Sequence, residues 1–273
     1  MSDELDAMFR KECVSDMRGM FDVTVRRDVP YCQSGGEQLC LDAYLPEVES
    51  ATLCPVVLLV HGEAPFESLK DAGQYTSLAR MLASYGIAAV VCNRRRLLAG
   101  STVDEVIESL IAARDFIDGH AQSLRIDHRR IGIWSFSAGM PFGFHNALQY
   151  RPEQVACVVG YYGLGDFETL MQFISPKEHR PVAPTILPPE AIRSAIMIVR
   201  AGNDNPLLNQ SLERFVMSLI ARNANLEFHN HPSGVHAFDL LNDDATSHEL
   251  IARTIDFLKT QLGQQSDPTP VAH

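Results

Sequence analysis

The sequence predicts an α/β fold in which a doubly wound, mainly parallel β-sheet is covered by helices on both faces. Continuous apolar runs, such as residues 55–60 and 195–199, are typical of strands that are buried on both faces. Segments with helical spacing of apolar residues alternate with these runs along the chain. The length of 273 residues and the hydrophobic content of 46% suit one large domain with a full core.

The chain begins with an amphipathic segment, residues 1–20. Leu5, Met8 and Phe9 have the spacing of one helix face, so we predict a helix over residues 2–20. Its apolar face must pack on the body of the domain, over the mouth of a site, or on another subunit. The last possibility makes a homodimer a hypothesis to test.

Residues 21–31 and 38–45 alternate apolar and polar side chains around the turn sequence Ser34-Gly35-Gly36. This pattern predicts an antiparallel hairpin of two half-exposed strands at one edge of the sheet.

Buried strands and helices alternate through the rest of the chain, and Thr102 with Glu105 forms a capping pattern at one helix start. The further predicted strands cover residues 55–60, 87–91, 131–136, 155–160, 195–199 and 226–230. The predicted helices cover residues 75–85, 101–118, the segment after Ser137 to about residue 150, the segment that opens at Asn205-Pro206, and residues 246–262.

We therefore predict a single domain over residues 21–263, followed by a disordered polar tail, residues 264–273. Within the domain, residues 164–190 contain several prolines and scattered aromatic side chains, which interrupt the alternation. We interpret them as an inserted, lid-like excursion in which Phe167, Met171 and Phe173 form an apolar acyl pocket.

Composition narrows the classes of partner. The formal net charge is -11, which argues against non-specific binding to nucleic acid or to an anionic membrane. The first twenty residues alternate charged and apolar positions, unlike a signal peptide or membrane anchor, so we expect a cytoplasmic protein. The 6 cysteines contain no C-x-x-C pair, and we interpret them mainly as buried, reduced thiols rather than as disulfides or a metal site.

The stretch Ser135-Phe136-Ser137-Ala138-Gly139 lies where a predicted buried strand passes directly into a helix. The pattern is that of the nucleophile elbow, G-x-S-x-G, with Ser135 in place of the first glycine. Small residues on both sides of Ser137 let the backbone turn tightly and raise the hydroxyl above the sheet. Taken alone, this short motif is also compatible with a turn that has no chemical role.

Polar residues follow three further strands, and the carboxyl ends of parallel strands are where active sites form. These residues are His61-Gly62-Glu63, Asp204 and His236. A serine needs an imidazole to accept its proton and a carboxylate to orient that imidazole. We therefore predict a triad of Ser137, His236 and Asp204.

The oxyanion of a tetrahedral intermediate needs backbone donors, and we predict that these are the N–H groups of Glu63 and Ala138.

Several alternatives stay open at this stage. Asp204 could cap the helix that opens at Pro206, although Asn205 can do so as well. The rival histidines are His229 and His231, and the rival acids are Asp239, Asp243 and Asp244. A metal site formed by the three histidines lacks supporting carboxylates or cysteines. The Arg94–Arg95–Arg96 cluster is either structural or a site for an anionic substrate.

The runs Leu59-Val60-His61-Gly62, Ser135 to Gly139, and Gly234-Val235-His236-Ala237-Phe238 resemble the α/β-hydrolase superfamily. Size and layout are similar to its dienelactone hydrolase, acetyl-xylan-esterase-like and prolyl-oligopeptidase catalytic-domain branches. The resemblance covers roughly residues 21–263. It implies an α/β-hydrolase fold without a cofactor, and the nucleophile, acid, base and oxyanion roles on the residues named above. Many relatives carry the acid where Asn205 stands, and dienelactone hydrolases use a cysteine nucleophile.

The resemblance implies a serine hydrolase that cleaves a small-molecule carboxylic ester or thioester through an acyl-enzyme. The alternatives are a peptidase of the prolyl-oligopeptidase type and a non-catalytic, ligand-binding protein with the same fold.

Overall fold

The computed structural model describes residues 3–15, 23–47, 53–174, 186 and 192–263. Within these residues the strands are β1 (Val23–Ser34), β2 (Glu37–Pro46), β3 (Cys54–Val60), β4 (Ala88–Cys92), β5 (Ile126–Phe136), β6 (Val155–Tyr161), β7 (Ala195–Ala201) and β8 (Leu226–His231). The helices are α1 (Asp3–Arg10), α2 (Gly73–Ser84), α3 (Val103–Gly119), α4 (Ala121–Leu124), α5 (Met140–Gln149), α6 (Phe167–Ile174), α7 (Pro206–Ala221), α8 (Phe238–Leu241) and α9 (Ala245–Gly263).

The described strands form one eight-stranded sheet in the order β1-β2-β4-β3-β5-β6-β7-β8. The β1–β2 and β2–β4 pairs are antiparallel, and every other pair is parallel. The predicted sheet with an N-terminal edge hairpin is therefore confirmed. Parallel strands place their carboxyl ends at one edge of the sheet, which brings the polar loops after β3, β5, β7 and β8 together.

Two apolar cores lie on opposite faces of the sheet, as the alternation of β3 illustrates. Val56 and Leu58 pack with α3, α5 and α7, whereas Val57 and Leu59 pack with α2 and α9. Successive side chains of a strand point to opposite faces, so a continuously apolar strand serves both layers.

Two predictions about the chain's N-terminal part need correction. The strand β2 is not half-exposed along its length, because from Leu41 onward it contributes to both cores and is almost fully buried. The predicted helix over residues 2–20 is also too long. Helix α1 ends at Arg10, and residues 11–15 continue without helical structure. They leave the helix to bond with α2 and α8, since Cys13 N–H donates to Ser77 Oγ and Val14 N–H to the Asp239 carbonyl.

The capping pattern at α3 is confirmed: Thr102 accepts from the Glu105 N–H, and the Glu105 side chain accepts from the Thr102 N–H. Of the excursion over residues 164–190, the structure describes α6 and a few residues beside it. The rest of the excursion and the tail, residues 264–273, lie outside the described residues. The short helices α4, α6 and α8 were not anticipated.

All six cysteines are free, and Cys13, Cys54, Cys92 and Cys157 are buried, as the sequence predicts for thiols used as small apolar side chains. Among the described residues, no helix combines the length and the apolar character needed to cross a membrane.

A buried ion cluster attaches the loop before α2 to the edge hairpin. The Lys70 ammonium lies 2.7 Å from Asp28, 2.9 Å from Asp42 and 2.8 Å from Asp71. The Asp42 side chain is fully buried and also pairs with Arg27 at 3.3 Å. A buried carboxylate is tolerated only while such partners are in place.

Replacing Lys70 should therefore destabilise the fold. We expect Lys70→Met to lower the free energy of unfolding by about 3 kcal/mol, because Asp42 would stay buried with its main partner removed. Urea unfolding measures the change. The matched control is Lys259→Met on the exposed side of α9, and equal stability of the two variants would contradict the role assigned to the cluster.

Candidate active site

The turn after β5 has the geometry of a nucleophile elbow. Ser137 has a φ of 51°, which is costly for a residue other than glycine and is found where surrounding contacts enforce it. The chain then enters α5 at Met140, with Pro141 in the first turn. A Cβ on Gly139 would lie 2.2 Å from the His61 carbonyl oxygen, so only glycine allows the elbow to approach the loop after β3 this closely. The hydroxyl of Ser137 lines an open pocket as a result.

Ser135 stands in the motif where the first glycine is usual, and the structure explains why it is tolerated. A Cβ on Gly143 would lie 2.6 Å from Ser135 Cβ, so the absence of a side chain on α5 leaves room for the serine. The buried Ser135 hydroxyl donates to the Val159 carbonyl at 3.0 Å. The substitution therefore leaves its own hydroxyl satisfied and the turn undisturbed.

Ser137, His236 and Asp204 lie in one hydrogen-bonded row. Ser137 Oγ is 2.8 Å from His236 Nε2, and His236 Nδ1 is 2.7 Å from Asp204 Oδ2. A carboxylate only accepts hydrogen bonds, so the Nδ1 position carries the proton and Nε2 can accept from the serine hydroxyl. The Asp204 side chain is 3% exposed, whereas His236 is 39% exposed towards the pocket.

The sequence left open which of Asp204 and Asn205 faces the imidazole and which caps α7. The structure gives one role to each residue. The second oxygen of Asp204 accepts from the Asn205 N–H at 2.6 Å. The Asn205 side chain accepts from the Leu207 N–H at 2.9 Å and caps α7. The carboxylate is thus directed at the imidazole, while the neighbouring amide caps the start of α7.

The loops that carry Asp204 and His236 are joined to one another through their backbones. The Gly202 N–H donates to His231 and the Asn203 N–H to Gly234, each at 2.8 Å. A Cβ on Gly202 would lie 2.2 Å from the Pro232 carbonyl oxygen, so this pairing also depends on a glycine. Asp204 and His236 are therefore fixed relative to each other.

The loop after β3 lies against the elbow, and a buried arginine holds it there. A Cβ on Gly62 would lie 3.1 Å from Ser137 Cβ, so the Gly62 backbone lies directly against the serine. Arg94 donates to the His61 carbonyl at 3.0 Å and to the Gly62 carbonyl at 3.3 Å, and it pairs with Glu63 at 2.9 Å. Sequence reasoning placed Arg94 in a charge cluster but did not anticipate this contact.

Further contacts fix the same loop. The Glu63 carboxylate accepts from the N–H groups of Leu97 at 3.3 Å and Leu98 at 3.2 Å, so the side chain is committed to structure. Tyr75 Oη accepts from the Gly62 N–H at 3.1 Å. Burial lowers the pKa of His61 well below its ordinary value, so the ring is neutral and Nδ1 donates to the Gly62 carbonyl at 2.8 Å.

Three buried polar side chains, Tyr162, Asp239 and Gln74, support His236. Of these, the sequence analysis considered only Asp239. The Tyr162 ring meets the His236 ring edge to face, with centroids 5.0 Å apart. Tyr162 Oη donates to Asp239 at 2.7 Å, and Gln74 donates to both Tyr162 and Asp239 at 2.8 Å. Burial raises the pKa of Asp239, and these hydrogen bonds oppose the rise. Tyr162 directly follows β6, so its position at a strand end was the available signal.

The rival residues have other partners. Asp243 pairs with His248 at 2.7 Å on the surface. His231 is buried and contacts Ser247 at 3.0 Å. His229 lies on β8 near Glu227, at 3.5 Å. Within the described part of the chain, no group of three or more His, Cys, Asp or Glu side chains could hold a metal ion.

A cavity of about 200 Å³ opens beside Ser137, and we call it the Ser137 pocket. The sequence-based expectation for its apolar wall is wrong: Phe167 is buried against Phe142 at 5.1 Å, and Phe173 is 46% exposed. The residues that line it are Met8, Phe9, Gly62, Glu63, Ala64, Phe66, Leu69, Ala72, Gln74, Tyr75, Ser137, Tyr162, His236, Ala237 and Leu240.

Comparison with known proteins identifies the family and the fold of this chain. The sequence profile of the BD-FAE family matches residues 41–197. No curated protein matches the sequence. Among solved structures, a bacterial heroin esterase has a TM-score of 0.74 at 18% identity, covering 90% of this chain and 87% of its own.

Two further structures give the same result. MGS-M1, an α/β-hydrolase enzyme from a Medee basin deep-sea metagenome library, has a TM-score of 0.69 at 17% identity, covering 88% of this chain and 98% of its own. Esterase LipW from Mycobacterium marinum has a TM-score of 0.70 at 18% identity, covering 88% and 82%. At these identities the likeness shows the fold, which is the α/β-hydrolase fold.

The close approach at the elbow can be tested with two glycines. We expect Gly139→Ala to lower the free energy of unfolding by about 2 kcal/mol or more and to slow labelling of Ser137 by a fluorophosphonate, because the new methyl group collides with the His61 carbonyl. Gly119→Ala at the end of α3 meets no atom within 4 Å and is the control. Urea unfolding and labelling kinetics measure both, and equal behaviour would contradict the interpretation.

Proposed function

This chain belongs to the BD-FAE family, a family of α/β-hydrolases, and we propose that it is a serine hydrolase that cleaves a small-molecule carboxylic ester or thioester. The observation that supports this most is the hydrogen-bonded row from Ser137 through His236 to Asp204, which ends at an open pocket. A serine with this environment is an activated nucleophile for acyl transfer.

In the proposed reaction Ser137 Oγ attacks the carbonyl carbon while its proton passes to His236 Nε2. The bond from carbon to the serine oxygen forms, and the carbonyl electrons move onto the oxygen as an oxyanion. Asp204 holds the imidazole through Nδ1 and stabilises the cation that forms on the ring.

The oxyanion is assigned to the N–H groups of Glu63 and Ala138. The position of Gly62 against Ser137 supports this, because the next backbone N–H along the loop is that of Glu63. Arg94 acts as a positioning residue, since it holds the His61 and Gly62 carbonyls that set the loop's course. Such donors work best when they are fixed before the charge appears.

Collapse of the intermediate breaks the bond to the leaving alcohol or thiol, which takes the proton from His236 Nε2. Water then attacks the acyl-enzyme, with His236 accepting a proton from it, and the second collapse returns Ser137 and releases the acid. Every proton in this cycle moves through one imidazole nitrogen.

The nucleophile is tested by Ser137→Ala. We expect kcat/KM for p-nitrophenyl acetate to fall by at least about 10³-fold, with fluorophosphonate labelling lost, because no other group replaces the attacking oxygen. Thermal unfolding serves as the folding control. Equal turnover by the variant and the wild type would contradict the proposal. Faster turnover of a matched acyl-peptide than of the ester would favour a peptidase instead.

The acid is tested by Asp204→Asn. We expect kcat to fall by about 10³- to 10⁴-fold at neutral pH, because an amide can donate to Nδ1 and so favour the wrong tautomer of His236. The matched control is Asp243→Asn, whose exposed carboxylate pairs with His248. A small effect of Asp204→Asn beside an unchanged Asp243→Asn would show that another group orients the imidazole.

A further inference from the structure

We propose that the N-terminal segment, residues 3–15, is part of the substrate site, and that Met8 and Phe9 limit the length of one apolar substituent of the ester. The inference rests on the proposed function and deepens it, because it assigns the substrate class as an ester with a short, uncharged chain. The sequence left three possible packing partners for this segment, and the structure places Met8 and Phe9 on the wall of the Ser137 pocket.

Four contacts hold the segment at the pocket. The Phe9 ring packs on Phe66, with centroids 4.9 Å apart. A Cβ on Gly73 would lie 2.5 Å from the Arg10 carbonyl oxygen, so the end of α1 rests directly on the start of α2. Beyond the helix, the N–H of Cys13 bonds to α2 and that of Val14 bonds to the Asp239 carbonyl of α8. Because both the helix and the residues that follow it are anchored, the segment forms a fixed wall.

Asp239 links this anchor to the site itself. Its carbonyl accepts from Val14, whereas its carboxylate accepts from Tyr162, whose ring packs on His236. The same residue therefore contacts the N-terminal segment and the group behind the imidazole. The wall formed by α1 is therefore connected through Asp239 to the side chain that packs on His236.

The chemistry of the pocket selects the substituent. Besides Met8 and Phe9, the lining includes Phe66, Leu69 and Leu240, which are apolar. Among the described lining residues, Glu63 carries the only carboxylate, and Arg94 neutralises it at 2.9 Å. A charged chain would lose its hydration here without gaining a partner, whereas an alkyl or aryl group would be stabilised.

The size of the pocket limits how much can enter. Its volume of about 200 Å³ lies below the range of roughly 300–1,000 Å³ that is usual for pockets that hold drug-sized ligands. A short substituent fits in it, and a longer chain meets Met8 and Phe9. Each methylene beyond the limit is expected to cost on the order of tenfold in kcat/KM.

The test uses the full-length protein and two series of esters. One series joins p-nitrophenol to acyl chains of increasing length, from acetate to decanoate. The other joins acetate to alcohols of the same lengths, so the series that responds identifies which substituent occupies the pocket. For the wild type we expect kcat/KM to fall steeply between the four-carbon and the ten-carbon member of one series.

In the series that responds, we compare kcat/KM for the ten-carbon ester with kcat/KM for the four-carbon ester. Met8→Ala and Phe9→Ala should raise this ratio by about tenfold. Phe9→Trp should lower the same ratio, which separates a wall from a general loosening of α1. Glu4→Ala, an exposed position on the same helix, is the control and should leave the profile as it is.

The outcomes are distinguishable. Hydrolysis by the wild type with one unchanged chain-length profile in all the folded Met8 and Phe9 variants would overturn this inference and leave the proposed function standing. Opposite shifts for Phe9→Ala and Phe9→Trp would support it. No hydrolysis of any ester by the folded wild type would overturn the proposed function and this inference together.

Discussion

The approach of the elbow to the loop after β3, at a distance that no side chain would permit, is the constraint on which this site depends. Gly139 meets the His61 carbonyl there, and the strained φ of Ser137 is held by the same packing. A second such approach, at Gly202, joins the acid loop to the histidine loop. Because backbone rather than side chains sets these distances, the row from Ser137 to Asp204 is fixed by the sheet beneath it.

Several buried charged groups around this frame are paired. Arg94 neutralises Glu63 and holds the loop carbonyls, and Asp204 receives both the imidazole and a backbone N–H. Asp239 is kept in the core by a tyrosine and an amide. Pairing of this kind makes the polar layer rigid, which is what a site needs if its donors are to stabilise charge without rearranging.

The N-terminal segment forms part of the pocket wall and is held in place in a similar way. It adds few buried residues to the cores, yet its backbone is bonded to α2 and α8 and its side chains line the cavity. A short segment before the first strand can therefore shape what the pocket admits without altering the sheet.

The sequence by itself determined the order of the strands and of the longer helices α2, α3, α5, α7 and α9, the edge hairpin, the capping of α3 and α7, and the four strand ends that carry polar residues. These features are local: period-two and helical patterns, turn residues and caps report the environment of each segment directly. The sequence could also name Ser137, Asp204 and His236 as candidates, because the elbow motif and the chain order of the three residues are visible in it.

Only the tertiary structure decided which candidates meet. It separated Asp204 from Asn205, turned His229 and His231 to other partners, and brought in Arg94, Tyr162 and Gln74. It also placed Met8 and Phe9 of α1 on the apolar wall of the pocket, where the sequence had led us to expect Phe167 and Phe173. Those outcomes depend on contacts between residues far apart in the chain, and no local pattern records which distant loops the closure of a sheet will bring within a hydrogen bond of each other.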